Sequence, residues 1–287
     1  RLADAVANKI MFTMALNSYL GVGGSIQRRG SASVAKNPQL MPTSSITRLA
    51  WGMGAFNEHL AGMVTLATAE TYVPPLIIKR IARHLPQEMW SRERHGGQLE
   101  ERCDQDTGSW EVNKVTFKTP SYMLSSAQDW RAGQDGRQEH IWQATLGADA
   151  VVFVTHPPTL SENPALKPNS WCGNSVLPRV AQWREVLIAI HNLPRNDWLG
   201  FTHAYFPAFA FDEHLVRGDW AFARKGDGYL AIGASQGLTF ITRGSNAYRE
   251  LRSYGRHNVW LCHMGRAPRD GSFSEFQERV LALEVTC

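Results

Sequence analysis

The chain has 287 residues, 43% of them hydrophobic and 20% charged, which suits one large globular domain or two of ordinary size. Its net charge of +4 is scattered among Asp and Glu with no basic block, whereas a nucleic-acid footprint concentrates Lys and Arg on one element. No apolar run reaches the ~20 residues of a membrane-spanning helix, so neither a nucleic acid nor a membrane is expected as a partner.

The first hundred residues carry helical periodicity. Leu2, Val6, Ile10 and Met14 recur at four-residue spacing in RLADAVANKIMFTMALNSYL. This reads as an amphipathic helix already under way without an initiator Met, so the chain is expected to begin inside a domain. A Gly/Ser/Pro-rich loop follows. Leu49, Met53, Phe56, Leu60, Met63 and Leu66 then form the stripe of a helix from about residue 46 to 69. Pro74 and Pro75 end it, and Pro75 suits the first turn of PLIIKRIARHL.

From about Ser109 the period becomes that of strands. SWEVNKVTFKT and VVFVTH are rich in β-branched and aromatic residues. DWAFARKGDGYLAIGAS alternates on both sides of Lys225-Gly226-Asp227-Gly228, where Asp-Gly is expected to supply the positive φ of a hairpin turn. LTFITRG, NVWLCHMG and RVLALEVT continue the strand series, and VAQWREVLIAIHNL fits a helix or a buried strand equally. The expectation is an α+β chain, helical over 1–105 and an antiparallel β-sandwich over 106–287.

Several catalytic signatures are missing. The four cysteines, Cys103, Cys172, Cys262 and Cys287, form no CxxC pair. GASQG (233–237) has the Gly-x-Ser-x-Gly spacing but follows a hairpin strand and is expected to be a β-turn instead of a nucleophile elbow, and GVGGS lacks the Lys and context of a P-loop. There is no HExxH or His-x-His. No cofactor is expected, and the nearest approach to a metal set is a structural ion near His203, Asp212 and His214.

What stands out is ten His and ten Trp, often near one another. Indole faces stack on sugar rings, and Asn, Gln and Arg bind hydroxyls and carboxylates. SWCGNSVLPRVAQW (170–183) gathers Trp171, Asn174 and Arg179 in one short stretch. In HIWQATLGADAVVFVTHPP (140–158), strand parity puts His140 and Trp142 on one face of a first strand and His156 in line with Val152 and Val154 on a second. His156 therefore reads as structural and His140 as the residue at the lip of a site.

RLAWGMGAFNEHLAGMVTLATAETYVPPLIIKRIA, HIWQATLGADAVVFVTHPP, PNSWCGNSVLPRVAQW, FTHAYFPAFAFDEH and GDGYLAIGASQGL, spread over residues 48–240, resemble the heparinase-like polysaccharide lyases and related carbohydrate enzymes. The resemblance implies a partial α,α-toroid followed by an antiparallel β-sandwich, with a cleft between them. It implies a secreted or periplasmic enzyme that abstracts the proton α to a uronate carboxyl group and expels the sugar at C4. His140, His203 and Tyr205 would serve as base and acid, the last two sharing a strand face. Asn57 or His59, Trp142, Trp171, Asn174 and Arg179 would bind the polysaccharide. A glycoside hydrolase on the same fold would need two carboxylates roughly 5–10 Å apart, drawn from Glu58, Asp129, Glu139, Asp212 and Glu213. A non-catalytic carbohydrate-binding or structural protein is the third reading. It gains if the named His and Tyr side chains turn away from a common open surface.

Overall fold

A computed structural model describes residues 88–95, 112–128, 132–136, 141–147, 150–163, 165, 166 and 168–284, together with Leu76. They form fourteen strands in two antiparallel sheets. Sheet I holds β1 (Met89–His95), β2 (Val112–Lys118), β3 (Met123–Gln128), β4 (Trp142–Thr145), β5 (Val151–Thr155), β8 (Phe201–Tyr205), β13 (Glu250–Tyr254) and β12 (Thr239–Phe240), paired in that order. Sheet II runs β6 (Arg179–Trp183), β7 (Val186–Asn192), β14 (His257–Arg266), β11 (Gly228–Ala234), β10 (Trp220–Lys225) and β9 (Glu213–Arg217).

Alternation builds the core. Phe117, Leu124, Trp142, Val152, Val154, Ala204 and Leu251 of sheet I form one cluster with Val180, Leu187, Ala189, Ile232, Trp260 and Met264 of sheet II. Two cross-sheet hydrogen-bond sets hold the faces in register: Trp260 Nε1 and Asn258 Nδ2 both donate to Thr202 Oγ1, and Ser126 Oγ donates to Gln182 Oε1. These buried polar atoms have partners, so their desolvation is compensated where apolar neighbours alone would leave it unmet.

The outer faces are covered differently. On sheet I, Trp171 from the segment between β5 and β6 closes over Val151, Phe153 and Tyr205. On sheet II, helix α2 (Phe273–Leu281) sets Phe273, Phe276 and Val280 against Phe222, Tyr229 and Ala231. It follows the single turn α1 (Ala267–Asp270). The other half of that outer face, Trp183, Val186, Ile188 and Ile190, stays exposed.

The α+β expectation is overturned. Strands dominate the regular structure of the described residues, with two short helices at the C-terminal end and no α,α-toroid among them. Residues 89–95, inside the span expected to be helical, are the edge strand of sheet I, and Trp90 packs edge-on to Phe117 and Trp183. The remaining helical expectations, over 1–75 and 77–87, lie outside the described residues. At the other end, most of RVLALEVT belongs to α2 and its exit instead of a strand. Ser272 and Glu275 form a capping box, each accepting the other's backbone N–H, and Phe273, Phe276 and Val280 fall at helical spacing. VAQWREVLIAIHNL is the β6–β7 hairpin, turning at Arg184 (φ 49°) and Glu185, with burial that alternates strictly along both strands. At the β10–β11 turn the positive φ falls on Gly226, not on the Asp-Gly pair.

Gly228 is required for closeness. A Cβ there would fall well inside van der Waals contact with the Ser121 carbonyl oxygen, whereas one at Gly147 meets only ordinary contacts. Gly228→Ala is expected to lower the urea-unfolding free energy by about 1–3 kcal/mol. Gly147→Ala should stay within about 1 kcal/mol of the parent.

Candidate functional site

β8 lies between β5 and β13, so its five residues are all buried. His203 pairs across the ladders with Thr155 and Arg252, and Glu250 with Tyr205. On the outer face the His203 ring lies flat under Trp171, centroids 4.1 Å apart and planes 4° from parallel. Its Nδ1 is 2.9 Å from Glu250 Oε1 and its Nε2 is 2.7 Å from the Ser170 carbonyl oxygen. Both partners present acceptor oxygens to the ring, one a carboxylate and one a backbone carbonyl. Arg252 completes the set, donating through Nε and Nη2 to the two Glu250 oxygens. Burial alone would raise the Glu250 carboxyl. The hydrogen bonds and charges of His203 and Arg252 outweigh it and bring the group down to about 2.

A second buried pair lies on the inner side. His156 Nε2 sits 2.9 Å from Asp197 Oδ1, while its Nδ1 has no hydrogen-bond partner. Desolvation lowers the His156 pKa, with the Asp197 charge opposing it. His191, on the inner face of β7, has neither ring nitrogen bonded, and burial followed by the His156 charge lowers it to about 3.

These contacts settle where the sequence candidates lie. His203 and Tyr205 do share a face, but it is closed. Tyr205 stacks on Phe153 and meets Trp171 edge-on, and both residues are fully buried. A polysaccharide does not reach a base placed there. Trp142 and Trp171 are core residues. Asn174 is buried, its Oδ1 accepting the His156 backbone N–H while its backbone pairs with Gly136. His156 is structural, with Val152 and Val154 on the inner face as parity required. Asn57, His59 and His140 lie outside the described residues, as do Glu58, Asp129 and Glu139. Asp212 and Glu213 instead hold Arg224, and Asp212 also holds Lys225 and the Gly226 N–H. His214 lies edge-on to Phe240, so His203, Asp212 and His214 do not form a ligand set. Among the described residues no three His, Cys, Asp or Glu side chains form a metal-sized group.

Arg179 is the candidate that faces solvent. It opens β6 opposite Ile190 and lines a pocket of about 560 Å³. Leu177, Ile190, Leu193 and Pro194 give the pocket apolar walls, while Asn192 and Arg256 add polar groups. Among the described residues neither Arg179 nor Arg256 has a carboxylate partner. Arg256 makes one long bond, Nη2 to the Leu193 carbonyl at 3.4 Å. Among the described residues, two guanidinium groups without a carboxylate partner thus lie on one concave surface, and guanidinium chemistry suits carboxylates and phosphates. Sequence reasoning missed Asn192 and Arg256 because β7 and the β13–β14 turn join β6 only through the sheet. Gly255, at φ 129°, was the local sign of that turn.

Compared with protein-family models, with curated proteins and with solved structures, the chain matches none of them.

The buried groups set an acid response. Glu250, held low, contributes stability that is complete above its ordinary pKa of 4.5 and is lost as pH falls toward 2. Glu250→Gln removes the buried carboxylate from the Arg252 guanidinium and the His203 ring and is expected to cost about 3–5 kcal/mol at pH 7 in urea titrations. That difference should shrink below pH 4.5. His191, held neutral, contributes stability that is present above 6.5 and lost as pH falls toward 3, because the unfolded chain then binds the proton first. His191→Leu should flatten the stability profile across that interval.

Proposed function

We propose that the protein binds an acidic carbohydrate, with a uronate carboxylate held by Arg179 and Arg256. The observation that carries this is the pairing, in one pocket with apolar walls, of two guanidinium groups that have no carboxylate partner among the described residues. A carboxylate accepts two parallel N–H bonds from an arginine, and the apolar flank of a pyranose packs on the exposed Ile190 and Pro194. Asn192 supplies an amide for hydroxyl groups. The volume falls within the ~300–1,000 Å³ usual for small-ligand sites.

Elimination at a uronate needs that same neutralisation of the carboxyl group, together with a base beside the α-proton. His203 and Tyr205, closed under Trp171, do not supply the base. Binding is therefore the favoured reading, and lyase activity is tested beside it.

The test is calorimetric titration with a glucuronate or galacturonate oligosaccharide and with its carboxyl-reduced neutral counterpart. Arg179→Ala and Arg256→Ala should each weaken the acidic ligand about tenfold or more, the worth of one charge-assisted hydrogen bond. The neutral counterpart should bind poorly to the parent. Equal affinity for the two ligands, or indifference to both substitutions, overturns the proposal. An aliphatic dicarboxylate bound as tightly as the sugar overturns its carbohydrate part. In the same samples, ultraviolet absorbance from a conjugated double bond would report elimination.

A further inference from the structure

The loop between β7 and β8 does two things at once. Leu193 and Pro194 form part of the pocket wall. Four residues beyond Pro194, Trp198 stands 72% exposed. Trp183 is the other strongly exposed indole among the described residues, and it has Trp90 against it. Trp198 has no ring neighbour among the described residues. Its indole N–H donates to the Pro158 carbonyl at 3.1 Å, which fixes the ring's polar edge to the protein.

The loop beneath it is held firmly. The Asp197 N–H donates to the Pro194 carbonyl, closing a tight turn. The Asp197 carboxylate accepts the Gly200 N–H at 2.6 Å through Oδ2 and meets His156 through Oδ1. Gly200, at φ 64°, accepts in turn from the Gly255 N–H, which ties the loop to the turn that carries Arg256. A four-residue turn keeps its end Cα atoms within ~7 Å. Trp198 Cα therefore lies within about 11 Å of Pro194 Cα after one further residue. The same two loops thus hold both a wall of the cationic pocket and an exposed aromatic ring. That ring's edge is already hydrogen-bonded and its loop already ordered, so little entropy remains to be lost on stacking.

We infer that Trp198 is a second subsite, a stacking platform for a neighbouring sugar of the same acidic chain whose uronate sits on Arg179 and Arg256. The inference rests on the carbohydrate reading above and extends it: the ligand is an oligomer that spans pocket and platform, not a single acidic sugar. Aromatic stacking on the apolar face of a pyranose requires no particular charge, so the platform lengthens the site while the arginines choose the ligand.

Titrations of the full chain with uronate mono-, di-, tri- and tetrasaccharides test this, using the parent, Trp198→Ala, Trp198→Phe and Arg179→Ala. Affinity of the parent should rise with chain length. Trp198→Ala should remove that rise, weakening the longer ligands about three- to tenfold and leaving the monosaccharide unchanged. Trp198→Phe should restore most of it, and Arg179→Ala should weaken every length. Length-independent binding that still depends on Arg179 overturns the platform and leaves the pocket standing. A Trp198→Ala loss that is equal at all lengths also overturns it. Absence of uronate binding by the parent at every length overturns pocket and platform together.

Discussion

The strictest constraint in the fold is that a fully buried imidazole has an acceptor at both nitrogens. His203 meets a carboxylate on one side and a backbone carbonyl on the other, and neither donates. A buried ring nitrogen left without its partner, like a buried carboxylate left without donors, is strongly unfavourable. Glu250 must therefore lie beside it, Arg252 must share the carboxylate, and Ser170 must bring its carbonyl in from another segment. This fixes the pairing of β8 with β13. It also brings in the segment before β6, whose Trp171 then lies flat on the imidazole. A shift of β13 by one residue would turn Glu250 to the opposite face and leave the ring without its carboxylate partner.

Around that point, alternation divides the work. Inner faces pack sheet on sheet, with Thr202, Asn258 and Trp260 contributing directional bonds to a boundary that is otherwise apolar. Outer faces are closed by different means, an indole over the β5–β8 part of sheet I and a capped helix over part of sheet II. The uncovered part of sheet II, beside β6, ends at the pocket, because Arg179 and Ile190 belong both to that face and to the pocket lining. Thr202, His203 and Glu250 are buried in hydrogen bonds, whereas Arg179 and Arg256 face water at the sheet's end.

Local pattern made much of the strand region legible. The β10–β11 hairpin, the inner and outer faces of β5, and the shared face of His203 and Tyr205 follow from period-two alternation. Parity could not say which face would be covered. Trp171 closes over His203 from thirty-two residues away in the chain, and its ring contact depends on the loop path alone. The C-terminal residues carried β-branched side chains that suggest a strand, but a Ser–Glu capping box and helical spacing of Phe273, Phe276 and Val280 prevailed. Arg179 was legible as a candidate because it lay in a stretch that gathers Trp, Asn and Arg. Its partner Arg256 was not, since the β14–β7 ladder brings the two together across seventy-seven residues of sequence.

One connection carries a further consequence. The segment from His156 to Pro178 leaves sheet I at β5 and enters sheet II at β6. Along it lie Trp171, which covers the His203 ion network, and Leu177, which lines the pocket just before Arg179. A ligand that restrains Arg179 thereby restrains the strap that closes the interior. Amide protons on β8, far from any contact with that ligand, would exchange more slowly in the complex, because the opening that releases them requires the strap to lift.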